Sequence, residues 1–314
     1  MTQSLDRFLA LSEALRDDTP RPDRQSAAFA AVALVHTDGE IAPLTAATKA
    51  RYEALKSALG GFQAPNGSMR WVYAAMMAAH GVEISRFMGA REALREERAA
   101  SKTGALHAGG SRAALILSLG DAGPQTVQAF FEMKRALRPP WWRSDDAVTD
   151  TFAAAQVLMD ARPDDVRAAR DHGELVFGAD RRARGYRREG ARQCALLEQA
   201  PEMALARFNA LEDARRADRY LRGRSDRSMA MEWAVSGRSP TDLAEISRIV
   251  RLMPRHLTSA GFCQTRLAGL IAFNDQEDNP AGSARALAAV IAAQAAMIAA
   301  ISAGAVAATS AAGS

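Results

Sequence analysis

Few of the residue types that carry chemistry occur in this sequence. Of its 314 residues only two are cysteine and five histidine, and aromatics make up 6%. Cys194 and Cys263 are not spaced as a CxxC pair, which excludes a disulfide framework and a thiolate metal site and fits a reducing compartment. The histidines, at 36, 80, 107, 172 and 256, form no HExxH or other paired ligand spacing. His36 and His80 are placed instead at equivalent helix ends, where a cation meets the C-terminal dipole. There is no GxxxxGK[ST] phosphate loop and no GxSxG elbow, and "HAGGS" at His107 reads as a Gly-rich connection. Runs of alternating β-branched residues are missing, which leaves no strand to compete with helix. The first twenty residues carry acids inside their apolar pattern and lack the continuous apolar core of a signal peptide, so a cytoplasmic protein is expected. No cofactor and no metal is expected.

What is abundant is apolar helix former: 48% of the residues are hydrophobic, enough for a buried core. "SRAALILSLGDAGPQTVQAFFEMKRALRPP", from Ser111, reads as an Ala/Leu-rich helix, a Gly/Pro turn and a second helix. Related stretches begin at Ser68, Asp150, Glu189 and Asp226, with a looser one from Ala28. Their central turns, near Gly39, Gly81, Ala122, Pro163, Pro201 and Gly237, recur at roughly forty residues, the period of helix-pair solenoids. The expected fold is therefore all-α, an α-solenoid-like stack of helix-turn-helix repeats with a period of about 40 residues. Residues 1–279 are assigned to the helical-repeat domain, and 280–314 to an Ala-rich C-terminal helix and flexible tail packed on the last repeat.

That tail raises the membrane question. Ala286 to Ala308 is 23 residues without a charge, long enough to span a bilayer. Thirteen of the 23 are alanine, however, and Leu287, Val290, Ile291, Ile298 and Ile301 fall on one helical stripe, which argues for packing against protein over insertion into lipid.

Two stretches stand out as candidate binding sites. In "RRARGYRREGAR", the arginines Arg181, Arg182, Arg184, Arg187, Arg188 and Arg192 stand against the single acid Glu189, although the net charge of the chain is only +4. The run is either a solvated interhelical loop or a phosphate contact. In "RPPWWRSDDAV", Trp141 and Trp142 lie beside Asp145 and Asp146. One reading is a helix junction: Pro139 and Pro140 stop one helix, Ser144 caps the next, and the aspartates oppose its dipole. The other is a site in which a tryptophan stacks on an extruded base and an aspartate assists hydrolysis.

"EMKRALRPPWWRSDDAVTDTFAAAQVL" (Glu132 to Leu158), "GYRREGARQCALL" from Gly185, "QTRLAGLIAF" from Gln264 and "AAQAAMIAAISAGAVAA" from Ala292 together resemble an uncharacterised bacterial family, domain-of-unknown-function family 4003. The likeness extends in pattern and order over nearly the whole chain, departing from the family where Trp141, Trp142 and Arg143 precede the aspartates. It implies a helical, cytoplasmic bacterial protein and no activity. The function expected from these features is a non-catalytic helical-repeat scaffold that binds another macromolecule, a protein. The alternative is a nucleic-acid-binding or base-excising helical-repeat protein that uses the arginine run with Trp141, Trp142, Asp145 and Asp146.

Overall fold

The computed structural model describes residues 3–60, 67–101, 105–120, 122–138, 146–223, 227–258 and 264–273, and among them every regular element is a helix. The chain divides into two compact units, the described residues up to Asp160 belonging to the first and Ala161–Asp275 forming the second. The first contains α1 (Gln3–Asp17), α2 (Arg24–Leu34), α3 (Ile41–Ala58), α4 (Gly67–Ala79), α5 (Ile84–Ser101), α6 (Ser111–Leu117), α7 (Pro124–Ala136) and α8 (Asp146–Leu158). The second contains α9 (Pro163–Ala179), α10 (Arg187–Leu197), α11 (Pro201–Ala217), α12 (Arg227–Val235), α13 (Leu243–Leu252), α14 (Arg255–Thr258) and α15 (Gln264–Ala272).

Helices of two kinds alternate. The Ala-rich ones are buried on all sides, as a helix apolar all round must be: Ser26 through Val32 in α2, Trp71 through Met77 in α4 and Ala113 through Leu117 in α6 are buried without interruption. The others bury one stripe, such as Leu5, Phe8, Leu11 and Leu15 of α1, or Val166, Gly173 and Phe177 of α9. Each inner helix packs on the outer helix that precedes it in the chain: α2 on α1, α4 on α3, α6 on α5, α8 on α7, α10 on α9 and α12 on α11. Successive members of a kind also touch, as α2 with α4, α6 with α8, α9 with α11 and α10 with α12. Stacking of Tyr52 on Trp71, with ring centroids 3.9 Å apart, fixes one such pair. The sequence expectation paired helices across the short Gly/Pro turns. Packing is closer across the connection before each inner helix than across the turn after it, because the inner helix takes cover from whichever neighbour presents an apolar stripe, and the tight turn only redirects the chain.

The turns form where the sequence placed them. Gly39, Gly81 and Gly237 adopt the left-handed conformation, with φ of 108°, 63° and 78°. Asp160 and Glu198 do so without being glycine, at 54° and 51°. At three of these ends an amide just past the helix reaches back to a carbonyl five residues earlier: Val82 to Met77 at 2.9 Å, Gln199 to Cys194 at 3.0 Å and Arg238 to Trp233 at 2.8 Å. Proline at the first position of α7, α9 and α11 restarts the helix with φ already set.

Arginine closes the first unit's turns. Arg7 of α1 donates to the carbonyls of Val35 (3.1 Å), Thr37 (2.6 Å) and Gly39 (3.0 Å) beyond α2. Arg51 of α3 donates to Val82 beyond α4 at 3.1 Å, and Arg86 of α5 to Gly120 beyond α6. Each guanidinium meets the carbonyls that a helix C-terminus leaves without partners, and its charge opposes the dipole there.

Candidate functional site

The pairing of Trp141, Trp142 and Asp145 with other groups lies outside the described residues, as do Ser144, Cys263 and the tail from Ala286. Asp146 opens α8, which places it in a helical first turn as the junction reading expects. His80 departs from its assigned role: burial lowers its pKa and favours the neutral ring, so charge against the helix dipole is not what holds it.

The arginine run is fully described. Asp180, directly before it, organises the turn by accepting from the amides of Arg182 (2.7 Å) and Ala183 (2.9 Å) and from Asn209 of α11 (3.2 Å). Desolvation raises this carboxyl, but the Ala183 amide, the Asn209 side chain and the Arg182 amide outweigh it and hold the pKa below the ordinary value. Beyond it the chain makes a 3-10 turn, Arg184–Tyr186, and enters α10. Arg182 bonds Asp213 of α11 at 2.6 Å, Arg184 the Gly178 carbonyl at 3.1 Å, and Arg187 the Arg184 carbonyl at 3.4 Å. Arg188 lies 3.9 Å from Glu174, and Arg192 pairs with Glu189. The run thus ties α9, α10 and α11 together, with Arg181 and Arg184 exposed.

These bonds also fix how the two outer helices lie. His172 meets Glu202 at 2.8 Å, Asp180 meets Asn209 and Arg182 meets Asp213, pairs separated by 30, 29 and 31 residues. A constant separation means that α9 and α11 run parallel, residue i of the first level with about residue i+30 of the second. Their inner sides are tightly seated: a Cβ on Gly173 would stand 2.9 Å from the Ala191 Cβ of α10 and 3.0 Å from its Cα. Among the described residues two large hydrophobic side chains stand in water, one on each of these helices: Leu175 at 75% and Met203 at 54% exposure. By the parallel register these two are nearly level on adjacent helices, each with exposed polar neighbours, Asp171 and His172 before Leu175 and Glu202 before Met203. No periodicity argument singles them out, because each is a lone apolar residue on a polar helix face.

Polar clusters are buried in both units, among them Glu212 of α11, which pairs with Arg215 and Arg216. In the first unit Lys134 (α7) pairs with Asp150 (α8) and reaches the Ala105 carbonyl, while the other Asp150 oxygen accepts the His107 amide at 2.8 Å. Nearby, Arg91 donates to Ser111 Oγ at 3.1 Å. The Tyr73 hydroxyl is pushed up to about 12, chiefly by burial and against the lowering effect of Arg112, so it stays protonated at neutral pH. This network pins the 3-10 turn His107–Gly110 against α8. In the second unit Arg266 of α15 pairs with Glu232 of α12, whose pKa is raised by burial, opposed by Arg266 and reinforced by Glu189. The thiol of Cys194 is buried in α10 and pushed up to about 12, chiefly by desolvation, which removes it as a nucleophile near neutrality.

Among the described residues no group of His, Cys, Asp and Glu could hold a metal ion, and no helix is long and apolar enough to cross a membrane. No family model, no characterised protein and no solved structure matches the chain.

Proposed function

We propose that the protein is a non-catalytic helical-repeat scaffold that binds another protein through the outer face of α9 and α11. The observation that carries this reading is the exposure of Leu175 and Met203, two large apolar side chains in water on parallel neighbouring helices. Large apolar side chains left in water are what the core of a protein interface uses. The alternation of buried and one-sided helices, with turns near Gly39, Gly81, Pro163, Pro201 and Gly237, supports a solenoid-like stack with a period of about forty residues. A likeness to family 4003 and a bacterial cytoplasmic setting fit the same reading. The arginine run counts against nucleic acid as the partner, since Arg182, Arg188 and Arg192 face carboxylates of their own unit.

The test is a photo-crosslinking residue placed at 175, at 203 and, as a control, at exposed position 98 of α5, in cells of the native host with and without nuclease. Crosslinks to a defined protein from 175 and 203 but not from 98, surviving nuclease, are the expected result. Crosslinks to nucleic acid, or the same products from all three positions, overturn the reading.

A further inference from the structure

We infer that an acidic segment of the partner protein is bound by four exposed arginines, Arg181, Arg184, Arg219 and Arg222, on two equivalent turns of the second unit; the inference rests on the reading that the partner is a protein. Residues 1–160 hold as many acids as cations, whereas the second unit holds arginine in excess and no lysine. Two of its stretches repeat one another, "ADRRARG" from Ala179 and "ADRYLRG" from Ala217, 38 residues apart.

The two stretches fold alike. Each follows a helix of 17 residues that begins with proline, α9 and α11. The aspartates have nearly the same backbone angles, φ −85° and ψ 128° at Asp180, φ −83° and ψ 124° at Asp218. Each accepts the amide two residues on, from Arg182 and from Tyr220, both at 2.7 Å. Ala183 and Leu221 are then fully buried at equivalent places, which leaves the arginines one and four residues past each aspartate exposed. Arg182 ties the first turn to Asp213, and Arg215 ties the second by donating to the carbonyls of Leu221 (2.7 Å) and Gly223 (2.9 Å). Arg184 is steadied by the Gly178 carbonyl at 3.1 Å, and Arg219 lies 4.6 Å over the Tyr220 ring. None of the four forms an ion pair among the described residues, so four positive charges face solvent from two rigid turns.

Their spacing chooses the partner. Because α11 lies level with α9 at about i+30, a turn repeated after 38 residues stands about eight residues, or about 12 Å, farther along the helix direction. With about 9 Å between the axes, the two arginine pairs are roughly 15 Å apart. Between them on α11 stands Asp213, 62% exposed. A nucleic-acid strand carries a charge about every 3.4 Å of its rise and would set phosphates against this carboxylate. A polypeptide can instead place its acids in two groups with neutral residues between. At about 3.3 Å per extended residue, acids four or five positions apart reach both pairs, and each guanidinium fork can hold a carboxylate by two parallel bonds. Exposed pairs contribute little singly, so the segment is held only when both turns engage it, and salt weakens it.

Fluorescence anisotropy with the purified full chain, at about 20 mM salt, tests this with three labelled probes. One is a peptide with two Glu-Glu pairs separated by three Gly or Ser residues, the second the same peptide with Gln for Glu, and the third a single-stranded oligothymidylate with as many phosphates as the first has carboxylates. The acidic peptide is expected to bind more tightly than either of the others. Arg181→Ala with Arg184→Ala, and Arg219→Ala with Arg222→Ala, should each weaken it at least about threefold, and all four together at least about tenfold. Arg95→Ala with Arg98→Ala, exposed arginines of α5, should leave it unchanged. Since all these residues are exposed, melting curves report whether any variant has lost its fold. No binding of the acidic peptide, binding that survives the four substitutions, or an equal loss in the α5 variant overturns the inference. If the peptide fails while crosslinkers at 175 and 203 capture a protein, the acidic segment is wrong and protein binding stands. Tighter binding of the oligothymidylate also overturns the inference, and if the crosslinkers then capture nucleic acid, both readings fail.

Discussion

The two units put several of their cations to different uses, although Arg215 of the second, buried against Glu212, also donates to the carbonyls of Leu221 and Gly223. In the first, Arg7, Arg51 and Arg86 are aimed at backbone carbonyls, and Lys134 is buried against Asp150. In the second, Arg182, Arg188 and Arg192 meet carboxylates, largely at the surface, and apolar Leu175 and Met203 are left in water. Both units bury an ion pair, Lys134 with Asp150 in the first and Arg215 with Glu212 in the second, but the second also leaves large apolar side chains in water. The contrast separates charge that holds a fold together from surface left for a partner.

Asp150→Ala is the severest way to break that contrast. It strands the Lys134 ammonium and the His107 amide and should cost about 3–5 kcal/mol in urea unfolding. His172→Ala in the second unit, whose Glu202 partner is exposed, should leave the curve in place. Equal losses would erase the distinction. Next in size is Gly173→Ala, expected to cost about 1–3 kcal/mol because its Cβ strikes the backbone of Ala191. The same change at Gly89 of α5, with open space around it, should gain up to about 1 kcal/mol from helix propensity. Arg7→Ala frees three carbonyls and should cost about 1–2 kcal/mol, with little dependence on salt.

Smaller effects sharpen the picture. Asp160→Gly should raise stability by about 0.5–1 kcal/mol, since its φ of 54° suits glycine better. His80 has a folded pKa lowered by burial from its ordinary 6.5. The unfolded chain therefore takes up its proton first, and the contribution of this site is present above pH 6.5 and lost as pH falls through the depressed value. A pH series on wild type and His80→Gln should differ only in that acidic window, the wild type declining more steeply.

The helices and their turns were legible because alanine runs, prolines and glycines are local signals. Gly39, Gly81 and Gly237 announced left-handed ends; Asp160 and Glu198, which adopt the same conformation, did not. Pairing was misread, since short turns show which helix follows and not which one it lies against. The arginine clamps escaped notice because their targets are carbonyls, present at every residue. Of the two stretches singled out for function, "RRARGYRREGAR" proved to knit α9, α10 and α11 through acids scattered from Glu174 to Asp213. Lys134 and Asp150 lie 16 residues apart on separate helices, and Leu175 is one leucine among many. Each of these depends on tertiary placement, which period and composition do not encode.

The arginine clamps also bear on time. They close over 28, 31 and 34 residues of chain, so each joins segments made close together during synthesis. At about 5–20 residues per second, the carbonyls that Arg7 needs arrive roughly one and a half to six seconds after it does. Contacts this local favour rapid folding. The first unit can therefore lock turn by turn behind the ribosome, each arginine waiting only for the helix that follows it.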